Sequence, residues 1–422
     1  MKRILILLSV LLLAVGCRGR VILGDEQFGK YLPLLEGRRV AILSNHSGIV
    51  GDKVENWCLR GGQDVTPDMV DIPFGAPSDT SRPVTYGPHL LDVLLGKGVN
   101  VTAIFSPEHG FRGKADAGEH VASAVDEATG VPILSLYENG SSHPSEASMS
   151  SFDVLLVDIQ DVGLRYYTYY VTMRDMMDAC AIFGKKVIIL DRPNPNGWYV
   201  DGPILDMRYA SGIGSLPIAM VHGMTLGELG LMINGEGWLS EGRKCDLTVI
   251  PCRRYTHGRR TTLVVPPSPN LKDMRSIYLY SSTCFFEGTQ VTAGRGTPWP
   301  FNIYGHPDLR GGDFTFTPVS MPGATRPRYQ DRLCRGTDLR GEPIEKIWTE
   351  QVNMEYLLDA FSRFPVDSAF FLPNGHFERQ IGVDYAREMI LSGASAAEIE
   401  AKWTGDVARF KEQRRPYLLY KD

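Results

Sequence analysis

Between Gly37 and about Gly235 the chain alternates short apolar runs with amphipathic stretches. Residues 38–43, 99–105, 152–157 and 186–190 are rich in Val, Ile and Leu, like strands covered on both faces of a parallel sheet. Residues 89–95 and 168–183 have helical spacing instead. In the second of these, Met173, Met176, Met177 and Cys180 share one face, which predicts core packing. Strand–helix–strand alternation of this kind predicts an α/β fold built on a Rossmann-like parallel sheet.

Each of the four predicted strands runs into a polar loop that contains Gly or Pro: residues 44–48, 106–113, 158–163 and 191–197. In an open α/β sheet, loops at the carboxyl ends of strands line the ligand crevice. One polar loop is a weak signal, whereas four at one sheet edge outline a cleft. The loop at 106–113 reads Ser-Pro-Glu-His-Gly-Phe-Arg-Gly and presents a carboxylate, an imidazole and a guanidinium within five residues. A Glu beside apolar wall residues has its pKa raised toward the range a general acid needs, so Glu108 is the first candidate.

Beyond Trp238 the pattern changes. Residues 245–251 read as a strand-like link, followed by the Pro-rich stretch Val265-Pro266-Pro267-Ser268-Pro269-Asn270. Helical spacing returns at 344–364, 386–392 and 396–414. The reading divides the chain into a leader (1–17), a lead-in (18–36), a Rossmann-like catalytic domain (37–241) and a smaller α+β carboxyl-terminal domain (242–422). The active-site cleft is expected between the last two.

The leader changes the picture of where the protein works. Met1-Lys2-Arg3 is basic, residues 4–15 are almost wholly apolar, and Gly16-Cys17 closes the segment. The run is too short to span a bilayer and reads as a secretory signal. Ala14-Val15-Gly16-Cys17 also resembles a bacterial lipoprotein box, with Ala in place of the usual Leu. The expectation is an exported protein, periplasmic or attached to the outer membrane by a lipid anchor at Cys17. A formal net charge of −5 argues against a nucleic-acid partner. The other Cys residues, at 58, 180, 245, 252, 284 and 334, show no metal-ligand spacing, so neither metal nor cofactor is expected. Disulfides are possible in an exported protein, but spacing does not give their connectivity.

Several ordered motifs resemble one family. They are the 106–113 loop, Asp-Gly-Pro at 201–203, Pro217-Ile218 followed by Val221-His222-Gly223-Met224-Thr225, Phe286-Glu287-Gly288-Thr289, and Gly-Arg-Gly-Thr-Pro-Trp-Pro-Phe at 294–301. Together they resemble the NamZ-like exo-β-N-acetylmuramidases, from about Gly37 to Tyr420. The resemblance implies a Rossmann-like domain and a smaller domain with the active site between them. The implied activity is release of terminal N-acetylmuramic acid from the non-reducing end of peptidoglycan fragments. Muropeptides or MurNAc-GlcNAc disaccharides would be the partners, cell-wall recycling the setting, and Glu108 the catalytic acid. Two departures stand out: Asn45-His46-Ser47-Gly48 replaces Asn-Gln-Thr-Gly, and Gly305-His306-Pro307-Asp308 replaces Gly-Ala-Pro-Trp. They bear on the leaving-sugar side of the pocket.

Glycoside hydrolysis needs a proton donor and stabilisation of an oxocarbenium-like centre. For the second carboxylate the sequence leaves Asp158, Asp161, Asp191 and Glu287 open, together with attack by the substrate's own acetamido oxygen. The lactyl carboxylate of the substrate calls for an Arg, and Arg112, Arg165, Arg192 and Arg295 are the candidates. His109 and His222 could orient Glu108 or bind hydroxyls. Asn45, Gln160, Asp161 and Asn194 lie in strand-end loops suited to sugar hydroxyls. Tyr169, with Tyr166, Tyr167 and Tyr170, offers either a sugar platform or helix-face packing. The competing reading is a surface lipoprotein that binds muropeptides without cleaving them. Gly-x-Ser-x-Gly, His-Glu-x-x-His and a Gly-x-Gly-x-x-Gly after the first strand are all absent, which argues against serine, metallo- and dinucleotide chemistry.

Overall fold

A computed structural model of the chain describes residues 19–107, 111, 124–136, 144–365 and 369–422. The leader and Cys17 lie outside the described residues. The centre is a seven-stranded sheet in the order Asp246–Ile250, Lys186–Leu190, Val154–Asp158, Val40–Ser44, Val101–Phe105, Pro132–Leu134, Ala124–Val125. Every neighbouring pair is parallel except the last, which is an antiparallel edge. The apolar runs form strands because both faces are covered: Val40–Ser44 and Val154–Asp158 are buried at every position. Proline follows directly where Val101–Phe105 ends at Ser106-Pro107, and its missing N–H cannot extend a ladder.

The strand order places Val40–Ser44 in the middle. The chain builds first to one side of it, through Val101–Phe105, and later to the other, through Val154–Asp158. That makes the carboxyl end of Val40–Ser44 the topological switch point, where open α/β sheets hold their ligands. The helix Tyr169–Ile182 covers one face of the sheet, and its Met173, Met176, Met177 and Cys180 are fully buried.

The strand Asp246–Ile250 follows the boundary read at 241/242 and nevertheless belongs to the large sheet. It pairs in register with Lys186–Leu190 and is the outermost parallel strand of the large sheet. Only Ile250 of this strand is buried and Asp246 is exposed, so its local pattern gave no sign of which half it joins. The second half carries an antiparallel sheet, with Cys334–Asp338 between Ile303–His306 and Phe314–Phe316. Two expected helices are interrupted. Ile344–Glu350 and Glu355–Arg363 are separated at Gln351, which is left-handed at φ 62°, and Ala396–Ala401 is separated from Thr404–Arg414.

The halves share one continuous apolar core. Met173 and Val221 of the first half join Phe285, Phe301 and Phe377 of the second in the same cluster. The carboxyl terminus returns to the first half, where Tyr420 packs with Val21, Leu23, Cys252 and Tyr255. All six described cysteines are free thiols, and only Cys58 is exposed. No helix among the described residues is long and apolar enough to cross a membrane.

Candidate active site

The switch point is built from two loops tied to each other. After Val40–Ser44, Asn45 Oδ1 accepts hydrogen bonds from the Ser47 backbone N–H at 3.0 Å and the Ser47 hydroxyl at 2.6 Å. This Asx-type turn is why a polar Asn-x-Ser follows the strand. The same Ser47 hydroxyl accepts from the backbone N–H of Gln160 at 3.1 Å, joining the loop after Val154–Asp158. Gln160 Nε2 donates to the carbonyls of Asp161 and Pro193, both at 2.8 Å. Asp161 Oδ1 accepts from the Gly163 N–H at 2.7 Å, and Gly163 sits at φ 79°, a left-handed turn that suits glycine.

What these loops leave unpaired matters most. Asn45 Nδ2, Gln160 Oε1 and Asp161 Oδ2 are all buried and have no hydrogen-bond partner among the described residues. Buried polar atoms are nearly always satisfied, so three orphans at one strand-end edge mark groups set out for a ligand. Burial pushes the Asp161 carboxyl up to about 7, partly opposed by hydrogen bonds from the backbone of Gly163 and Val162.

The Pro-rich stretch, which the sequence left as an irregular connection, walls this edge. His46 Nε2 lies 2.8 Å from the Pro266 carbonyl, and the Tyr167 and Tyr169 hydroxyls both donate to the Pro267 carbonyl, at 2.5 and 3.0 Å. The only sequence signal for this role was a run of carbonyls whose own prolines offer no N–H. Tyr166, Tyr167, Tyr169 and Tyr170 are all buried, and Tyr166 donates to the carbonyls of Tyr280 and Ser281. Their rings therefore pack the wall.

The Ser106–Gly113 motif enters at the same place. Ser106 and Pro107 are buried directly after Val101–Phe105, and Phe111 is buried edge-on against His89, with ring centroids 4.9 Å apart. His89 Nδ1 accepts from the Leu91 N–H, so the proton sits on Nε2, which points at the Asn45 carbonyl 2.8 Å away. The motif is thus anchored to the Asn45 loop through Phe111 and His89. Glu108, His109 and Arg112 lie outside the described residues.

Several predicted site residues have other duties. Arg192 contacts three carboxylates: Asp158 at 2.6 Å, Asp25 at 2.8 Å and Asp52 at 2.9 Å, with every side chain at most 8% exposed. One buried cation against three buried acids leaves an excess of negative charge. Burial accordingly raises Asp25 well above the carboxylate range and Asp52 to about 6, against the pull of Arg192. Asp191 is equally engaged, accepting from Thr225 Oγ1, Gly227 N–H and Tyr420 OH, and burial lifts it to about 6. Arg165 is buried and donates to the carbonyls of Pro203, Ile218, Gln380 and Ile381. Asn194 bonds Met224 and Asn196. His222 is fully buried, is lowered by that burial to about 3, and accepts from the Met224 N–H at Nδ1. Asp158, Asp191, Arg192 and Asn194 thus hold the loops together with their side-chain polar atoms engaged, whereas Arg165 Nε and His222 Nε2 have no partner among the described residues. Apart from the local bonds His222–Met224 and Asn194–Asn196, the partners of these residues lie far away in the chain, beyond the reach of a local pattern.

The second half supplies a different pair. Glu287 Oε1 accepts from Arg295 Nε at 2.7 Å and Nη2 at 2.6 Å, and both side chains are about a quarter exposed. Arg295 also lies 5.1 Å from the centre of the Phe301 ring. An aromatic wall connects this pair to the switch point: Tyr167 meets Tyr280 at 6.4 Å, and Tyr280 meets Phe301 at 4.6 Å. The Asp161 charge bears on the Tyr167 hydroxyl at the other end of that wall. Among the described residues no group of His, Cys, Asp and Glu converges to hold a metal ion.

Known proteins are similar to this chain over nearly its full length. Residues 78–275 match the model described as exo-beta-N-acetylmuramidase NamZ, N-terminal, and residues 278–420 match its C-terminal counterpart. The peptidoglycan beta-N-acetylmuramidase NamZ of Bacillus subtilis (strain 168) is 32% identical, covering 94% of this chain and 90% of that protein. A crystal structure of a DUF1343 family protein from Bacteroides fragilis NCTC 9343 superposes with a TM-score of 0.82 at 51% identity, covering 96% of this chain and all of that one. A second DUF1343 family protein from the same organism gives 0.71 at 25% identity, with 95% and 99% covered.

Proposed function

This chain belongs to the exo-β-N-acetylmuramidase NamZ family of glycoside hydrolases, and from that premise we propose that it releases terminal N-acetylmuramic acid from the non-reducing end of peptidoglycan fragments. The observation that carries the reading is the unsatisfied polar edge at the switch point: Asn45 Nδ2, Gln160 Oε1 and Asp161 Oδ2, beside the strand end from which the 106–113 motif departs. A sugar ring bearing hydroxyls and an acetamido group offers both donors and acceptors to such an edge.

Glu108, the carboxylate next after Pro107, is assigned proton donation to the leaving oxygen. Of the four candidates for a second carboxylate, Asp158 and Asp191 have every oxygen engaged by buried donors, and Glu287 is neutralised by Arg295. Asp161 keeps one open oxygen, and we assign it to the reacting side of the sugar. There it would hold a water or orient the acetamido group as positive charge develops at the anomeric carbon. Arg295, the one partly exposed Arg among the described candidates, is assigned to the lactyl group at the far end of the aromatic wall. The setting we propose is cell-wall turnover by an exported protein.

The test is release of a chromophore from an aryl β-N-acetylmuramide, and of GlcNAc from MurNAc-GlcNAc, by wild type and Glu108→Gln. Turnover by wild type with a loss of about 10²–10⁴-fold in the variant is expected. Tight binding of the disaccharide by an inert wild type would establish the lipoprotein binder instead.

A further inference from the structure

A second polar cleft, of about 410 Å³, opens on the carboxyl-terminal half and is lined by Arg208, Tyr209, Gly375, Glu378, Arg379 and Arg387. Its charges are not all spent on one another. Arg208 pairs with Asp206 and Asp384. Arg387 donates to Glu378 Oε1 at 3.0 Å and lies 5.1 Å from the centre of the Phe371 ring. Arg379 has no carboxylate partner among the described residues, and its Nη1 reaches the carbonyl of Asn374 at 2.9 Å. Glu378 Oε2 is buried and has no partner at all among them.

These two unspent groups face the same small space. A Cβ built on Gly375 would meet Arg379 Nη1 at 3.5 Å and Glu378 Oε2 at 3.8 Å. Gly375 is left-handed at φ 68°, so glycine both permits the turn and keeps that space open. A buried carboxylate oxygen without a donor is costly, and the half-buried Arg379 beside it has no ion-pair partner among the described residues. The complement is a ligand that brings a cation and an anion on neighbouring atoms.

We propose that this cleft binds an amino-acid head group, its α-carboxylate on Arg379 and its α-ammonium on Glu378 Oε2. The placement suggests where such a group comes from. The helix His376–Ile381 carries Glu378 and Arg379, and its Gln380 donates toward Glu287 Oε2 at 3.5 Å and to the Cys284 carbonyl at 3.1 Å. The cleft and the Glu287–Arg295 pair are therefore about one helix thickness apart, roughly 10 Å. On the muramidase reading, on which this step rests, a peptide attached to the lactyl group at Arg295 and passing round this helix would carry a diamino-acid side chain to the cleft. The lactyl carbonyl, now an amide, still accepts from Arg295.

Calorimetric titration separates the outcomes, using meso-diaminopimelate, the tripeptide L-Ala-γ-D-Glu-meso-diaminopimelate, and the same tripeptide ending in L-Lys, whose side chain has an ammonium without a carboxylate. Wild type is expected to bind the first two, with the L-Lys peptide at least about tenfold weaker. Arg379→Ala and Glu378→Gln should each weaken binding about tenfold or more while leaving turnover of a peptide-free aryl β-N-acetylmuramide unchanged. Tighter binding of the tripeptide than of free diaminopimelate identifies the attached peptide as the source, and equal binding identifies the free amino acid. Absence of binding to both, equal binding of the L-Lys peptide, or binding unaffected by both substitutions overturns the proposal. Peptide binding by a wild type that does not cleave the aryl substrate would keep the cleft and remove the muramidase reading.

Discussion

Two clusters sit at the same carboxyl edge of the same sheet and differ in one respect. Around Arg192, every polar atom of Asp158 and Arg192 is spent on buried partners, and Asp25 and Asp52 are drawn in from distant loops. Around Asn45, Gln160 and Asp161, each side chain has one atom bonded within the protein and one left open. Both clusters are buried and both have raised carboxyls, so neither burial nor a shifted pKa separates them. Hydrogen-bond saturation does. A saturated cluster holds loops in place, whereas a preorganised unsaturated one pays the desolvation cost in advance and recovers it when a ligand binds.

The sharpest way to break this comparison is to remove one charge from each cluster. Arg192→Ala leaves three buried acids without their cation and should cost about 3–5 kcal/mol of stability in denaturant unfolding. Asp161→Asn keeps an acceptor for the Gly163 N–H and should leave folding intact while lowering kcat about 10²-fold. If Asp161→Asn unfolds the protein and Arg192→Ala does not, the saturated and unsaturated clusters have been assigned the wrong way round.

A smaller effect appears with pH. Burial raises the Asp161 carboxyl from its ordinary range to about 7, so the folded state holds this proton more tightly than the unfolded chain does. That stabilising contribution is whole below about pH 4, is lost as pH rises to about 7, and changes no further above it. Asp161→Asn lacks the titration. Its stability relative to wild type should therefore improve by a few kcal/mol between pH 4 and 7 and then level off, as read from unfolding free energies across that range. A difference that stays constant with pH would place the titrating carboxyl elsewhere.

The smallest effect tests the tie between the loops. Ser47→Ala removes the hydroxyl that bridges Asn45 and Gln160 and should cost about 1 kcal/mol of stability. Because it also loosens the open atoms, KM for the disaccharide should rise several-fold while the pH profile keeps its shape. An unchanged KM would show that the loops hold their geometry without Ser47.

The anatomy of the sheet was legible because its signals are local. Lys186–Leu190 was bounded correctly by its apolar run, and the Met173–Cys180 face was set by helical spacing. The strand Asp246–Ile250 was legible as a strand but not as a member of the large sheet, because its partner is sixty residues back. The candidate site was partly legible: Asn45, Gln160 and Asp161 were picked out as strand-end polar residues, and so were Asp158, Asp191 and Arg192 by the same criterion.

By itself the sequence determined the alternation of elements, the edge where their loops meet and the motifs that carry the family. Those follow from periodicities of two and 3.6 residues and from short contiguous patterns. The tertiary structure decided which of the gathered polar groups are satisfied. Asp191 is closed by Tyr420, 229 residues away, Arg192 by Asp25, 167 away, and the Pro267 carbonyl by Tyr169, 98 away. Asp161 keeps its open oxygen because no such distant donor reaches it among the described residues. A carboxylate's place in a loop is written in its neighbours along the chain. Whether it is spent or open depends on what the fold brings within about 3 Å of it.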